Sequence, residues 1–283
     1  MADEKTLEQN RINRQALTNA KRVVVKVGTS SITYDNGRTN INNIDRLSRA
    51  LSNQMNQDRE MILVSSGAIA IGKSRLNVID HKDATVQEQQ AYAAVGQADL
   101  MTTYSRSFSE YGYNVAQILM TRDDVDDPLT LHNITNTFEE LIHRRVVPII
   151  NENDTVSTKE VYHNGTFGDN DALSAIVAKI VKADLLILLS DIDGLYDCDP
   201  RKNVNACLIS DVNKLTPDIV KGAGGSGSRR GTGGMISKLS AATIAMNAGI
   251  DMVISNGSRP EEIARILQGE SIGTLFKAQT FDQ

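Results

Sequence analysis

Two glycine-rich segments that carry lysine have the residue types needed to bind phosphate. The segment KVGTSS runs from Lys26 to Ser31, and GTGGMISK runs from Gly231 to Lys238. Glycine lets backbone N–H groups approach an anion closely, and each lysine adds a positive charge. GTGGMISK also leads into a helical pattern, so the positive end of a helix dipole would face the ligand. Both segments are therefore candidates for phosphate binding.

Each of these segments also has a simpler interpretation, which the residues alone leave open. KVGTSS could be a tight turn whose lysine extends to water. GTGGMISK could be a flexible loop followed by the start of a helix. The stretch from Gly222 to Gly227 formally matches GxGxxG, but it neither follows a strand nor opens a helix, so it does not indicate a dinucleotide site.

Four further polar segments lie where an apolar run gives way to a loop or helix. They are SSGAIAIG (65–72), NENDTV (151–156), GDND (168–171) and SDIDGLY (190–196). In open α/β sheets this is the edge at which ligands bind. The position of the segments therefore predicts one shared binding edge.

Several other chemistries lack their sequence signatures. No GxxxxGK[ST], HRD or DFG motif occurs, and neither does GxSxG or HExxH. The four histidines are scattered, and Cys198 and Cys207 form no CxxC pair. The sequence thus indicates neither a P-loop protein nor a protein kinase, and neither a serine hydrolase nor a zinc site.

Strands and helices are predicted to alternate along the chain. Short β-branched runs predict strands at 22–27, 61–64, 115–119, 146–150, 184–189 and 251–254. Helical spacing of apolar residues predicts helices at 41–55, 87–111, 129–144, 171–183, 236–248 and 261–267. This order predicts an α/β fold, with a mainly parallel central sheet between two helical layers in an αβα sandwich.

Composition narrows the class of protein further. The 283 residues are 40% apolar and 23% charged, which is typical of one large globular domain or two closely apposed lobes. A formal net charge of -5 gives no net field to attract nucleic acid.

No apolar run approaches the roughly 20 residues of a membrane span. The first twenty residues lack the pattern of a secretory signal, so we expect a cytoplasmic protein with a frayed or helical N-terminal extension.

Taken together, the six segments resemble the amino acid kinase superfamily and, within it, the glutamate 5-kinase family. The resemblance runs from about Arg22 to Ala278, with KVGTS, SSGAIA, NENDxV, GDND, DxxGLY and GTGGMxxK in the family's order. It implies an amino acid kinase domain over residues 22–283, after an extension at 1–21. The N-terminal lobe would mainly bind the acceptor, and the C-terminal lobe the nucleotide. It also implies a form without the C-terminal PUA domain that many family members carry.

The resemblance also implies an activity. It is ATP-dependent phosphorylation of the γ-carboxylate of L-glutamate to L-glutamyl 5-phosphate, the first step of proline biosynthesis. Mg²⁺ would bridge phosphate oxygens with few protein ligands. A carboxylate acceptor is ionised at neutral pH, so the lack of a poised histidine base is expected. The same resemblance suggests inhibition by proline, a homo-oligomer, and transfer of the labile product to glutamate-5-semialdehyde dehydrogenase.

The functional residues that the resemblance implies fall into three groups. Lys26 and Lys238 would flank the transferring phosphoryl group, and Asp169 would hold the two lysines in position. The acceptor site would comprise Ser66, Gly67, Ala68, Asp154 and Asn170, with Asp154 pairing with the substrate ammonium group. The nucleotide would contact Lys26, Gly28, Ser190, Asp191, Thr232, Gly233, Gly234, Met235, Ile236, Ser237 and Lys238. For Asp154 and Asn170 an Asx turn and a helix N-cap remain the alternatives.

Two competing functions remain at this point. Another member of the superfamily would phosphorylate acetylglutamate, aspartate, carbamate or UMP, but SSGAIAIG followed by NENDTV favours free glutamate. A catalytically inactive nucleotide or proline sensor would keep the fold without the chemistry. The presence of Lys26, Lys238 and Asp169 favours an enzyme over a sensor.

Overall fold

A computed structural model describes residues 4–78, 84–156, 169–217, 219 and 234–279. The strands are β1 Arg22–Val27, β2 Glu60–Ser65, β3 Val115–Met120, β4 Val147–Glu152, β5 Leu185–Ser190, β6 Asp211–Val212, β7 Asp251–Asn256 and β8 Thr274–Phe276. The helices are α1 Glu4–Ala16, α2 Thr29–Ile32, α3 Ile41–Met55, α4 Ala68–Arg75, α5 Val86–Ser109, α6 Arg122–Asp126, α7 Pro128–His143, α8 Asn170–Ile180, α9 Met235–Asn247 and α10 Glu262–Ile266. A short 3-10 turn, Leu17–Asn19, follows α1.

The strands of the described ranges form one sheet in the order β3-β4-β2-β1-β5-β7-β8-β6. Every pairing is parallel except that of β7 with β8. Val27 at the end of β1 pairs with Ser65 of β2 and Leu189 of β5. The carboxyl ends of the central strands therefore meet at one edge of the sheet.

Successive side chains of β1 pack alternately into two hydrophobic cores, one on each face of the sheet. Val23 and Val25 pack in the core that contains residues of α3, α5 and α10, whereas Val24 packs in the core that contains residues of α7, α8 and α9. Because successive strand residues point to opposite faces, Lys26 shares the face of Val24. A continuous apolar strand is thus buried on both sides, and its lysine is directed towards α8 and α9.

Helices α4 and α5 approach one another closely because glycine lies at their contact. A Cβ atom at Gly96 would lie 1.8 Å from the carbonyl oxygen of Ala68, and one at Gly72 would lie 1.9 Å from that of Tyr92. No side chain fits at such distances. Ala68 begins α4 directly after Gly67, whose φ of 105° is left-handed, so this contact fixes the loop after β2.

The N-terminal extension is a helix anchored by one buried arginine. Arg14 of α1 is 2% exposed. It pairs with Asp211 at 3.3 Å and donates to the carbonyl oxygens of Ser210, Ile272 and Gly273. Helix α1 is therefore tied to the edge of the sheet formed by β6 and β8.

The structure confirms the predicted α/β fold, its mainly parallel sheet and the six strands expected from sequence. It adds the short strands β6 and β8 and the helices α2, α4 and α6, which the spacing of apolar residues did not predict. In the part of the chain that is described, no helix is long and apolar enough to cross a membrane.

Candidate active site

The polar segments converge at the carboxyl edge of the sheet. Gly28 follows β1, Ser66 follows β2, and Asp191 follows β5. These strands are neighbours in the sheet, and the backbone N–H of Ser66 donates to the carbonyl of Val27 at 3.1 Å. The shared edge predicted from the sequence is therefore present.

Lys26 and Lys238 contact the same carboxylate, that of Asp171. Lys26 Nζ pairs with Asp171 Oδ1, and Lys238 Nζ pairs with Asp171 Oδ2 at 3.1 Å. Ser237 Oγ also donates to Oδ2, at 2.9 Å. All three charged side chains are largely buried, with Lys26 8%, Lys238 7% and Asp171 1% exposed. Two ammonium groups that are far apart in sequence thus lie side by side.

The electrostatics of Asp171 favour its charged form. Burial alone would raise the pKa of this carboxyl, but the positive charges and hydrogen bonds of Lys26 and Lys238 outweigh it and hold the pKa below its ordinary value. Among the contacts given for the described residues, the one negative charge of Asp171 lies between the positive charges of Lys26 and Lys238. Such a cluster is suited to bind an anion.

The contacts of Asp169, which the resemblance assigns to holding the two lysines, lie within its own helix. Its carboxylate caps α8 by accepting from the backbone N–H groups of Asp171 and Ala172, at 2.9 and 3.1 Å. The residue that contacts both lysines is Asp171, two positions later. The physical reason is that an N-cap side chain folds back onto the first turn of its own helix, whereas a residue inside that turn can point at the sheet.

The acceptor side of the edge contains a chain of amide side chains. Asn170 Nδ2 donates to Ser66 Oγ at 2.8 Å and to Asn151 Oδ1 at 2.9 Å. Asn151 in turn donates to Gln97 Oε1 of α5 at 3.0 Å. Asn170 Oδ1 is buried and has no hydrogen-bond partner within the described ranges.

The other predicted acceptor residues lie next to this chain of amides. Gly67 and Ala68 form the start of α4, where a Cβ at Gly67 would lie 2.4 Å from Cδ1 of Ile32. Asp154 lies in the turn just after β4 and is partly exposed. The structure thus brings Ser66, Gly67, Ala68 and Asn170 together and leaves Asp154 at the adjoining turn.

The predicted nucleotide residues lie on the β1, β5 and α9 side of the edge. Gly28 lies beside the ammonium group of Lys26, and a Cβ there would be in ordinary contact with Lys26 Nζ at 3.7 Å. Ser190 is buried and its hydroxyl donates to Asp191 Oδ1 at 3.1 Å. Gly234 precedes α9 and offers no side-chain cap, and Met235, Ile236, Ser237 and Lys238 form the first turn. The first N–H groups of α9 therefore lack the side-chain acceptor that usually satisfies them.

Some predictions fall outside the described residues. These are Thr232 and Gly233 of the nucleotide segment and residues 157–168 of the loop from Thr155 to Gly168, which the resemblance implies would fold over the acceptor. Residues 221–233 of the glycine-rich stretch from Lys221 to Gly234, for which the sequence leaves a linker and a ligand-ordered loop as alternatives, also fall outside them. Within the described ranges no three His, Cys, Asp or Glu side chains form a group that could hold a metal ion.

Sequence reasoning missed three residues that the structure places in this network: Asp171, Asn151 and Gln97. Asp171 and Asn151 lie inside the motifs GDND and NENDTV, so their segments were found but not their roles. Gln97 is a buried amide among the apolar buried residues of α5, such as Ala93 and Leu100. A polar residue on an apolar helical stripe was the available signal.

Comparison with known proteins agrees with this geometry. Residues 21–256 match the family model described as the amino acid kinase family. The chain belongs to the amino acid kinase family. It is an enzyme of the kinase class, and curated relatives that it matches over nearly the whole chain share one name.

Three of these relatives are named glutamate 5-kinase. The chain is 50% identical over 266 residues to the one from Clostridium perfringens, covering 94% of this chain and 98% of the relative. It is 50% identical over 266 residues to that from Listeria monocytogenes, covering 94% and 96%. It is 51% identical over 263 residues to that from Enterococcus faecalis, covering 93% and 97%. This chain of the amino acid kinase family therefore matches these relatives over nearly their whole length.

Solved structures support the fold of this amino acid kinase. Isopentenyl phosphate kinase from T. acidophilum superposes with a TM-score of 0.61 at 19% identity, covering 90% of this chain and all of that one. A second isopentenyl phosphate kinase structure gives 0.63 at 16% identity, again over 90% of this chain. At this level of identity the likeness concerns the fold alone.

Proposed function

We propose that this chain transfers the γ-phosphoryl group of ATP to the γ-carboxylate of L-glutamate. The observation that carries the proposal is the pairing of Lys26 and Lys238 with one carboxylate at the edge of the sheet. It is supported by relatives named glutamate 5-kinase at about half identity over 94% of the chain.

The lysines would act by electrostatic stabilisation. In the transition state for phosphoryl transfer, negative charge spreads over the equatorial oxygens, so fixed cations lower its energy more than that of the substrates. Asp171 holds both ammonium groups at one place before the substrate arrives. The positions are therefore set in advance, and little reorganisation is needed when charge develops.

The nucleophile needs no general base from the protein. A glutamate carboxylate has a solution pKa of about 4.3 and is already ionised at neutral pH. Ser66 and Asn170 would orient it from the acceptor side, and Asp154 would pair with its ammonium group. Ser190, Asp191 and the first turn of α9 would hold the nucleotide, together with Gly28. Mg²⁺, held on phosphate oxygens, would neutralise part of their charge.

The proposal also covers the cellular location, pathway, regulation and partners of the enzyme. We infer a cytoplasmic location, a role at the first step of proline biosynthesis and inhibition by proline. A homo-oligomer and passage of the labile acyl phosphate to glutamate-5-semialdehyde dehydrogenase belong to the same proposal. Millimolar proline added to the glutamate assay should lower the rate, and unchanged kinetics would remove the inhibition from the proposal.

A panel of acceptors tests the substrate. ADP release is measured with glutamate, N-acetylglutamate, aspartate, carbamate and UMP, and hydroxylamine traps any acyl phosphate. We expect turnover and a hydroxamate product with glutamate. Strong turnover with UMP or another acceptor and none with glutamate would reject the assignment. Nucleotide binding without ADP release for any acceptor would favour a sensor.

A further inference from the structure

Gln97 lies behind the acceptor side of the site, on a helix that sequence motifs do not mark as functional. It belongs to α5, is 7% exposed, and follows Gly96, the residue at which α5 touches α4. Its Oε1 accepts the hydrogen bond from Asn151 Nδ2. Gln97 thus connects the rigid α4–α5 contact to the end of β4.

The hydrogen bonds in this chain of amides have a fixed direction. Because Asn151 gives its N–H to Gln97, its Oδ1 faces the other way and accepts from Asn170 Nδ2 at 2.9 Å and from the N–H of Glu152 at 2.9 Å. Asn170 Nδ2 uses its two hydrogens on Asn151 and Ser66. The hydrogen-bond partners of each amide therefore decide which way its oxygen and its nitrogen point.

The direction leaves one acceptor without a partner. Asn170 Oδ1 is buried and unpaired within the described ranges. A buried carbonyl oxygen without a donor is unfavourable, and a bound ligand with a hydrogen-bond donor would remove that penalty. An ammonium group is such a donor, and it also carries the charge that a carbonyl dipole attracts.

We propose that Gln97 is a positioning residue that, together with the backbone N–H of Glu152, holds the amide orientation of Asn151 and, through it, of Asn170. The acceptor site then presents a carbonyl oxygen, rather than an amide N–H, to the ammonium group of the amino acid. This inference rests on the proposed function, because it takes the acceptor to be a free amino acid. Without the Gln97 acceptor, Asn151 Nδ2 loses its partner and only the backbone N–H of Glu152 holds Asn151 in this orientation. The amide of Asn170 is then set less firmly, and its N–H groups can turn towards the ammonium.

Three variants of the full chain test this inference. Gln97→Leu removes the acceptor at similar volume, whereas Gln97→Glu retains an oxygen that can accept from Asn151. Gln87→Leu makes the same change at an exposed position of the same helix and serves as the control. The kinetic constants for glutamate and for ATP and the melting temperature are measured for each.

For Gln97→Leu we expect KM for glutamate to rise about tenfold, while kcat and KM for ATP stay within about threefold of wild type. Gln97→Glu should recover most of the lost affinity for glutamate, and Gln87→Leu should match wild type. If Gln97→Leu does not fold, Gln97→Met provides the same contrast with Gln97→Glu.

Two results would overturn the role of Gln97 while leaving the proposed function in place. One is an unchanged KM for glutamate in Gln97→Leu. The other is a lower melting temperature with equal changes in both KM values, which would indicate a purely structural role. A wild-type protein that turns over ATP with another acceptor and not with glutamate would overturn both proposals, so the two failures can be told apart.

Discussion

At the scale of single residues, Asp171 is the carboxylate that holds the two lysines together. It is almost completely buried, and it contacts Lys26 through one oxygen and Lys238 through the other. Removing one partner of a buried ion pair leaves the others uncompensated, which is strongly unfavourable. Asp171 therefore contributes both to the stability of the folded protein and to the position of the two lysines in the site.

The variant Asp171→Asn should be less stable than wild type by about 3 kcal/mol at neutral pH, because two buried ammonium groups lose their counter-charge. The pKa of Asp171 is lowered in the folded state, so its contribution is fully present above the unfolded-state pKa of about 3.9 and is lost as the pH falls through the folded-state value. The difference in free energy of unfolding between the two proteins should thus be constant from pH 7 to about 5 and shrink below about pH 4.

Urea unfolding of both proteins at a series of pH values checks this prediction. Asp169→Asn is the control, because asparagine also caps helices, and among the described residues the carboxylate paired with both lysines is that of Asp171. A difference that grows as the pH falls would contradict the assigned role of Asp171.

At the scale of helices and strands, the close contact of α4 and α5 positions the acceptor loop. Gly96→Ala should lower the free energy of unfolding by about 2 kcal/mol or more, because the new Cβ would clash with the backbone oxygen of Ala68. It should also raise KM for glutamate, since Ala68 and Gly67 belong to the loop that the contact holds. Ala98→Leu, which adds volume on the exposed side of α5, is the control.

Thermal unfolding and glutamate kinetics of these two variants check the prediction. Equal stability of Gly96→Ala and wild type would show that α4 and α5 can move apart without loss of stability. That result would contradict the role of this contact in positioning the acceptor loop.

The sequence predicted most of these elements because their apolar patterns are strong. Strands such as β5, Leu185–Ser190, are buried along their whole length and read as continuous apolar runs. Helix α4 was missed because its Gly72 and its alternating small and large residues give no clear stripe, and β6 and β8 because two or three residues carry no period. Tertiary contacts, rather than local preference, form these three elements.

Within the site, the sequence identified the segments but not every role in them. GDND contains two aspartates two positions apart, and nothing in the spacing tells which one caps α8 and which one faces the lysines. That choice depends on where the helix begins relative to the sheet. Gln97 could be noticed as a polar residue on an apolar stripe, but its role could not be predicted because its partner Asn151 lies on a distant strand.

At the scale of the whole molecule, α1 is held to the sheet edge by the buried pair of Arg14 and Asp211. Burial lowers the pKa of the Arg14 guanidinium, and its attraction to Asp211 opposes that effect. The N-terminal extension, which had no role on sequence grounds, is thus part of the folded domain.

Arg14→Leu should lower the free energy of unfolding by about 3–5 kcal/mol, because the Asp211 carboxylate then stays buried without its cation. The double variant Arg14→Leu with Asp211→Leu should recover part of the loss, since it removes the uncompensated charge as well. Chemical denaturation of the four proteins of this cycle measures the coupling, and simple additivity of the two changes would contradict an interacting pair.

The rate of the phosphoryl-transfer step in lysine variants tests the central claim most directly. Lys26→Met and Lys238→Met remove the charge while keeping a flexible apolar chain, and kcat is measured with ATP and glutamate at saturation. Each variant should remain folded and lose on the order of a hundredfold or more in kcat, or about 3 kcal/mol of transition-state stabilisation. A folded variant of either lysine that keeps kcat within about threefold of wild type would contradict the claim that both ammonium groups act on the transferring phosphoryl group.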